Sequence, residues 1–143
     1  VGDEKIIESY KLLVSNGASP VPIPIQNAAS ALYDDEDHQL KACQHYDKNF
    51  EIVERYLRPF YSDFNIPEAG FFLWLPVVDD EEATKILWNK FALRVMPGSY
   101  MGNEINGINP GKGFLRISIV DEINIIEDVM KRLCLFLQSY NNK

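Results

Sequence analysis

Val95 to Val120 reads VMPGSYMGNEINGINPGKGFLRISIV, and the fold turns on this stretch. Five of the eight glycines fall within it, which marks a long loop between two strand-like runs. Upstream, Phe91–Met96 is strand-like and is broken by Pro97-Gly98. Downstream, Phe114–Val120 alternates, with Leu115, Ile117 and Ile119 on one face and Phe114, Arg116, Ser118 and Val120 on the other. Arg116 therefore stands among apolar neighbours just after a loop whose glycines allow close backbone approach. A guanidinium fork matches a carboxylate through two parallel hydrogen bonds, so the position suits a carboxylate or phosphate. On residue type alone, an exposed or cross-strand ion pair is the more frequent role of a strand arginine.

Working outward, Asp121 opens a last helix with a stripe of Ile123, Ile126, Val129 or Met130, Leu133 and Leu137. Asn141-Asn142-Lys143 is expected to fray. On the other side, Phe71–Pro76 predicts a buried strand and Asp79–Lys90 a helix, with Asp79 and Glu82 spaced as a capping box. The second half thus reads β-α-β-loop-β-α, a small sheet covered by helices. The first half reads as helices. Asp3 can cap one with apolar residues at Ile6, Ile7, Tyr10, Leu13 and Val14, ended by Asn16-Gly17 in a left-handed turn. A stiff link from Ser19 to Pro24 leads to a short helix near Ile25–Tyr33. The longest helix follows at 37–57, striped by Leu40, Cys43, Tyr46, Phe50, Val53 and Leu57 and stopped by Arg58-Pro59. The fold class is α+β.

Composition narrows the function. The 143 residues suit one core, and 46% hydrophobic residues are those of a globular chain. A net charge of −7 disfavours nucleic acid, because no basic patch is available to displace counterions. No run reaches the ~20 apolar residues of a membrane span. The start at Val1-Gly2-Asp3-Glu4-Lys5 has neither an initiator Met nor a signal peptide, so a start inside a longer protein, or one left by processing, is expected, and the localisation expected is cytoplasmic. Cys43 and Cys134 are expected to be reduced, buried thiols.

Most candidate chemistry fails on spacing. Gly107–Gly113 lacks the Ser or Thr that follows Gly-Lys in a phosphate loop, and a strand follows it rather than a helix. His38, Cys43 and His45 are metal-ligand types without a zinc pattern, so no metal site is expected. The acidic clusters at Asp34–Asp37 and Asp79–Glu82 read as solvated helix starts. No nucleophile elbow or defensible acid–base pair is present.

Three blocks carry a family resemblance: Pro67-Glu68-Ala69-Gly70-Phe71-Phe72-Leu73-Trp74, Val95–Gly102 and Asn109–Ser118. Together they resemble the C-terminal part of a class I/II aminotransferase, a pyridoxal-phosphate enzyme of fold type I. The wording is most similar to the succinyldiaminopimelate aminotransferases. The resemblance implies a large-domain tail at 1–36, a connecting helix at 37–59 and a C-terminal small domain at 60–143. It also implies that Arg116 grips the substrate α-carboxylate, and that the complete enzyme acts as a homodimer on amino and keto acids. The family's cofactor lysine lies in a Ser-x-x-Lys segment before the point matching Val1. None of the nine lysines here matches it, so the resemblance places no catalytic or cofactor-binding residue in this chain. Without the family, the same residues would also suit a non-catalytic amino-acid-binding or regulatory module.

Overall fold

The structure, a computed structural model, describes residues 2–17 and 20–140. Ser19, at the start of the proline-rich link, and the C-terminal residues 141–143 lie outside them. The chain divides into two compact units, Val1–Leu40 and Lys41–Lys143, and the division falls within one helix.

The first unit holds α1 (Glu4–Gly17), α2 (Ile23–Tyr33) and the beginning of α3 (Glu36–Leu57). Asp3 caps α1 as expected, its carboxylate accepting from the N–H groups of Lys5 and Ile6 at 3.1 and 3.2 Å. Gly17 is the last helical residue, but its φ is not positive, so the expected left-handed stop is not formed there. The stiff link is shorter than expected, because Pro24 already belongs to α2. A proline in the first helical turn sacrifices only an N–H that has no intrahelical partner. No residue of α1 or α2 is buried. The predicted stripe at Ile6, Tyr10 and Leu13 is exposed, as are Ile23, Ile25 and Leu32.

The second unit begins with the rest of α3 and continues through β1 (Phe72–Pro76), α4 (Asp80–Phe91), β2 (Met96–Pro97), β3 (Phe114–Ser118) and α5 (Ile123–Tyr140). The sheet has the order β1-β3-β2, and both outer strands run antiparallel to β3. Leu73, Leu75, Leu115 and Ile117 project from one face. They join Val53 and Leu57 of α3, Leu87 of α4, and Ile126, Met130, Leu133 and Leu137 of α5 in a single apolar cluster. Burying each such leucine is worth about 2 kcal/mol. The fold is α+β, with a small antiparallel sheet covered by helices.

Three expectations are corrected here. The run Phe91–Met96 is mostly not strand. Helix α4 extends through Phe91, and Ala92 takes a left-handed conformation (φ 51°) that lets the Leu93 N–H return to the Leu87 carbonyl at 3.0 Å. Arg132 seals that end by donating to the Phe91 and Ala92 carbonyls, and only Met96 and Pro97 reach the sheet. Strand β1 is buried on one face rather than two, since Trp74 is 45% exposed between buried Leu73 and Leu75. Cys43 is exposed, because the α3 stripe meets the core only from Asn49 onward, and Cys134 on α5 is half-buried; both are free.

Candidate functional site

The inner face of the sheet is used up by the core, so the outer face is where a ligand can approach. Strand register brings its residues together. Arg116, on the central strand, lies directly between Trp74 of β1 and Met96 of β2. Phe72, one step along β1 on the same face, offers its ring to the cation, with the guanidinium carbon 4.4 Å from the ring centroid. Such a contact holds the guanidinium without consuming its hydrogen-bond donors. Among the described residues no carboxylate pairs with Arg116, although the chain carries 21 acidic side chains. The cross-strand ion pair is therefore not formed.

A hollow of about 190 Å³ opens beside it, lined by Phe72, Arg94, Val95, Met96, Arg116 and Ser118. A larger apolar recess of about 440 Å³ lies toward the loop, walled by Trp74, Met101, Pro110 and Phe114. Trp74 and Phe114 meet edge to face, their ring centroids 6.2 Å apart.

The glycine-rich loop is held in place by side chains that the sequence did not single out. Asn109 donates to the carbonyls of Ser99 at 2.8 Å and Gly102 at 3.2 Å, and its own carbonyl accepts from the Gly111 N–H at 2.9 Å. Gly98 and Gly111 pack backbone against backbone, where a Cβ on either would run into the other's carbonyl oxygen. Asp80 is the second surprise. It was expected to be a solvated helix-start acid, yet it is 3% exposed. Its carboxylate accepts from the N–H groups of Ser99 at 2.8 Å and Gly113 at 3.2 Å, and so ties both ends of the loop to the start of α4. Burial would raise its pKa. The N–H groups of Ser99 and Gly113 that its oxygens accept from outweigh that effect and hold the carboxyl below its ordinary value. No sequence signal marks Asp80 within the run of acids from Asp79 to Glu82. Asp79 is the predicted cap and accepts from the Glu82 N–H at 2.8 Å. The loop leads into β3, and its backbone is committed to these contacts rather than arranged as a phosphate cradle.

The remaining candidates do not assemble. No group of three metal-ligating side chains occurs among the described residues. The His45 Nε2 instead lies 3.2 Å from the Val120 carbonyl oxygen and 3.2 Å from Asn49 Nδ2. The described lysines are all exposed, and none lines the hollow beside Arg116. A lysine that carries an aldehyde cofactor needs a shielded, desolvated site. None of the described lysines therefore fits the role of carrying the cofactor aldehyde.

The profile of aminotransferase class I and II matches residues 1–133. This chain belongs to that family. No curated protein matches it. Among solved structures, an aminotransferase from Neisseria meningitidis Z2491 is 30% identical, with a TM-score of 0.78 over 98% of this chain and 35% of its own. The aspartate aminotransferase of Thermotoga maritima shares the fold at 21% identity and a TM-score of 0.77, over 96% of this chain and 34% of its own. Aminotransferase AspB from Helicobacter pylori 26695 does so at 23% identity and a TM-score of 0.76, over 100% and 35%. The chain spans about a third of the length of these aminotransferases. No helix among the described residues is long and apolar enough to cross a membrane.

Proposed function

We propose that this chain is the carboxylate-binding part of an aminotransferase that moves an amino group between an amino acid and a 2-keto acid. In this reading 1–36 is the tail of the large domain, 37–59 the connecting helix and 60–143 the small domain. Arg116 holds the substrate α-carboxylate. The observation that carries the reading is the Arg116 guanidinium, set on the open face of the sheet, braced by Phe72 and unpaired with any described carboxylate. Two parallel N–H···O bonds from that fork would fix the carboxylate plane and aim the adjacent carbon away from the sheet. Trp74 and Met96 flank the fork and limit the water that competes for it.

Pyridoxal phosphate would supply the electron sink when bound in the complete protein. None of the described lysines fits the role of carrying that group, and this chain alone is expected not to transaminate. The finer substrate assignment is N-succinyl-diaminopimelate with 2-oxoglutarate, in lysine biosynthesis. It is supported by the wording of Pro67–Trp74, Val95–Gly102 and Asn109–Ser118. A cytoplasmic homodimer is the proposed working form.

The test uses the protein encoded by the complete gene. Arg116→Ala is expected to lower kcat/KM for the amino donor by on the order of a hundredfold, as loss of a charged bidentate contact should. Arg116→Lys should recover part of it. Unchanged kcat/KM in Arg116→Ala would remove the carboxylate role. Comparing N-succinyl-diaminopimelate with aspartate as donor tests the finer assignment, which falls if aspartate is the better substrate.

A further inference from the structure

We propose that Tyr46 of α3 is a positioning residue for Arg116, acting on the guanidinium through a row of aromatic rings. The inference rests on the reading of Arg116 as a carboxylate binder. The row begins on α3, where the Tyr46 ring lies 5.5 Å, centroid to centroid, from the ring of Phe71. Phe71 in turn lies 4.5 Å from Phe72. Phe72 carries the Arg116 guanidinium carbon 4.4 Å from its own centroid. Each step is within the range over which two rings, or a ring and a cation, attract one another.

Core packing does not account for this row. None of the three rings belongs to the apolar cluster under the sheet. Phe71 is exposed at the margin of the sheet, and Tyr46 and Phe72 are half-buried. Phe72 must present a ring face to the cation, because the face is the negative part of an aromatic ring. Phe71 packs against Phe72 and limits its rotation, and Tyr46 limits Phe71 in the same way. The backbone repeats the connection. The Phe71 carbonyl accepts from the Ile119 N–H at 3.0 Å, just past the end of β3. The neighbours of Tyr46 on α3 reach the carbonyls of the same segment. His45 Nε2 lies 3.2 Å from that of Val120, and Asn49 donates to those of Ile119 and Asp121. One turn of α3 thus holds both the main chain that follows Arg116 and the rings that face it. His45 and Asn49 act on the main chain, and Tyr46 is the member of that turn whose ring contacts lead to the guanidinium.

The experiment uses the protein encoded by the complete gene. It follows kcat/KM for N-succinyl-diaminopimelate and for aspartate, which share the α-carboxylate, with Tm read on every variant. Tyr46→Leu is expected to lower kcat/KM roughly tenfold, the effect of losing one aromatic contact that orients a charged group. Tyr46→Phe keeps the ring and should recover most of that loss. In the Arg116→Ala background the loss should vanish, because a residue that acts through the guanidinium then has nothing to position. Phe71→Leu, at the exposed margin, should show the same dependence on Arg116 and repeats the test without touching α3. With only arginine isotopically labelled, the Arg116 Nε–H resonance, displaced upfield by the Phe72 ring, should return toward its ordinary position in Tyr46→Leu and stay displaced in Tyr46→Phe. A loss that persists undiminished in the Arg116→Ala background, or an Arg116 resonance unmoved by Tyr46→Leu, would overturn the role of Tyr46 alone. If Arg116→Ala itself leaves kcat/KM unchanged, the carboxylate reading fails and this inference with it.

Discussion

Gly98 and Gly111 stand backbone to backbone, with no room between them for a side-chain carbon on either residue. The contact closes the loop that leads to the arginine strand. Gly98→Ala or Gly111→Ala must therefore push the two segments apart. Each is expected to cost about 2 kcal/mol in chemical denaturation, the usual size of an overpacking change. The double variant should cost less than the sum of the two, because both break one contact. Additive losses would mean that each glycine serves a separate purpose.

Asp80 fastens the same loop from below. Its carboxylate takes N–H groups from Ser99 and Gly113, so Asp80→Ala leaves two donors poorly paired, at a cost of about 2 kcal/mol near neutral pH. The pH dependence has a definite sign. The folded-state pKa lies below the ordinary 3.8, so the carboxylate stabilises the fold at pH values above 3.8. That contribution is lost as pH falls through the depressed folded value. Asp80→Asn should flatten this acid limb of the stability curve. An acid limb identical to that of the unsubstituted chain would refute the coupling.

Tyr61 gives a complementary alkaline test. Its hydroxyl donates to the Pro76 carbonyl at 2.9 Å. Burial, and then the charge of Tyr140, push its pKa up from 10.0 to about 12. A group with a raised folded pKa stabilises fully below the unfolded value and loses that contribution as pH rises through the folded one. Stability should therefore decline between about pH 10 and 12. Tyr61→Phe should flatten that decline while losing about 1 kcal/mol at pH 7 from the missing hydrogen bond. The ionisation can be followed independently by tyrosinate absorbance.

Period-two alternation made β3 legible, because Leu115 and Ile117 had to share a face opposite Arg116. Helical spacing did the same for Met130, Leu133 and Leu137 of α5. Two kinds of feature were not legible. Phe91–Met96 has strand composition, but the helix end is set by Ala92 in a left-handed conformation and by Arg132, whose partners are some forty residues away in sequence. Asp80 was hidden for the same reason. Spacing marks Asp79 as the cap among four consecutive acids, but nothing marks Asp80 until the fold brings the N–H groups of Ser99 and Gly113 to it. In the first unit, the apolar spacing of α1 correctly marked a face, yet that face is exposed. Periodicity shows that a face exists and not what covers it.

Asn49 supplies the last test, since it is the buried polar group that ties α3 to the turn after β3. Its amide donates to the carbonyls of Ile119 at 2.8 Å and Asp121 at 3.0 Å. Asn49→Leu keeps the bulk but leaves those carbonyls unpaired, for an expected loss of about 2 kcal/mol. Asn49→Asp should be worse at neutral pH, because an ionised carboxylate would only accept, and would face the carbonyls of Ile119 and Asp121 in a buried site beside the His45 ring, whose Nε2 lies 3.2 Å from Asn49 Nδ2. Burial and those carbonyls would raise the folded-state pKa of the substituted carboxyl, so its protonated form is the one the fold tolerates. Stability of Asn49→Asp relative to the unsubstituted chain should therefore improve as pH falls toward 4, where the protonated group can again donate one hydrogen bond. A pH-independent difference between the two proteins would show that the amide donors of Asn49 do not hold the turn.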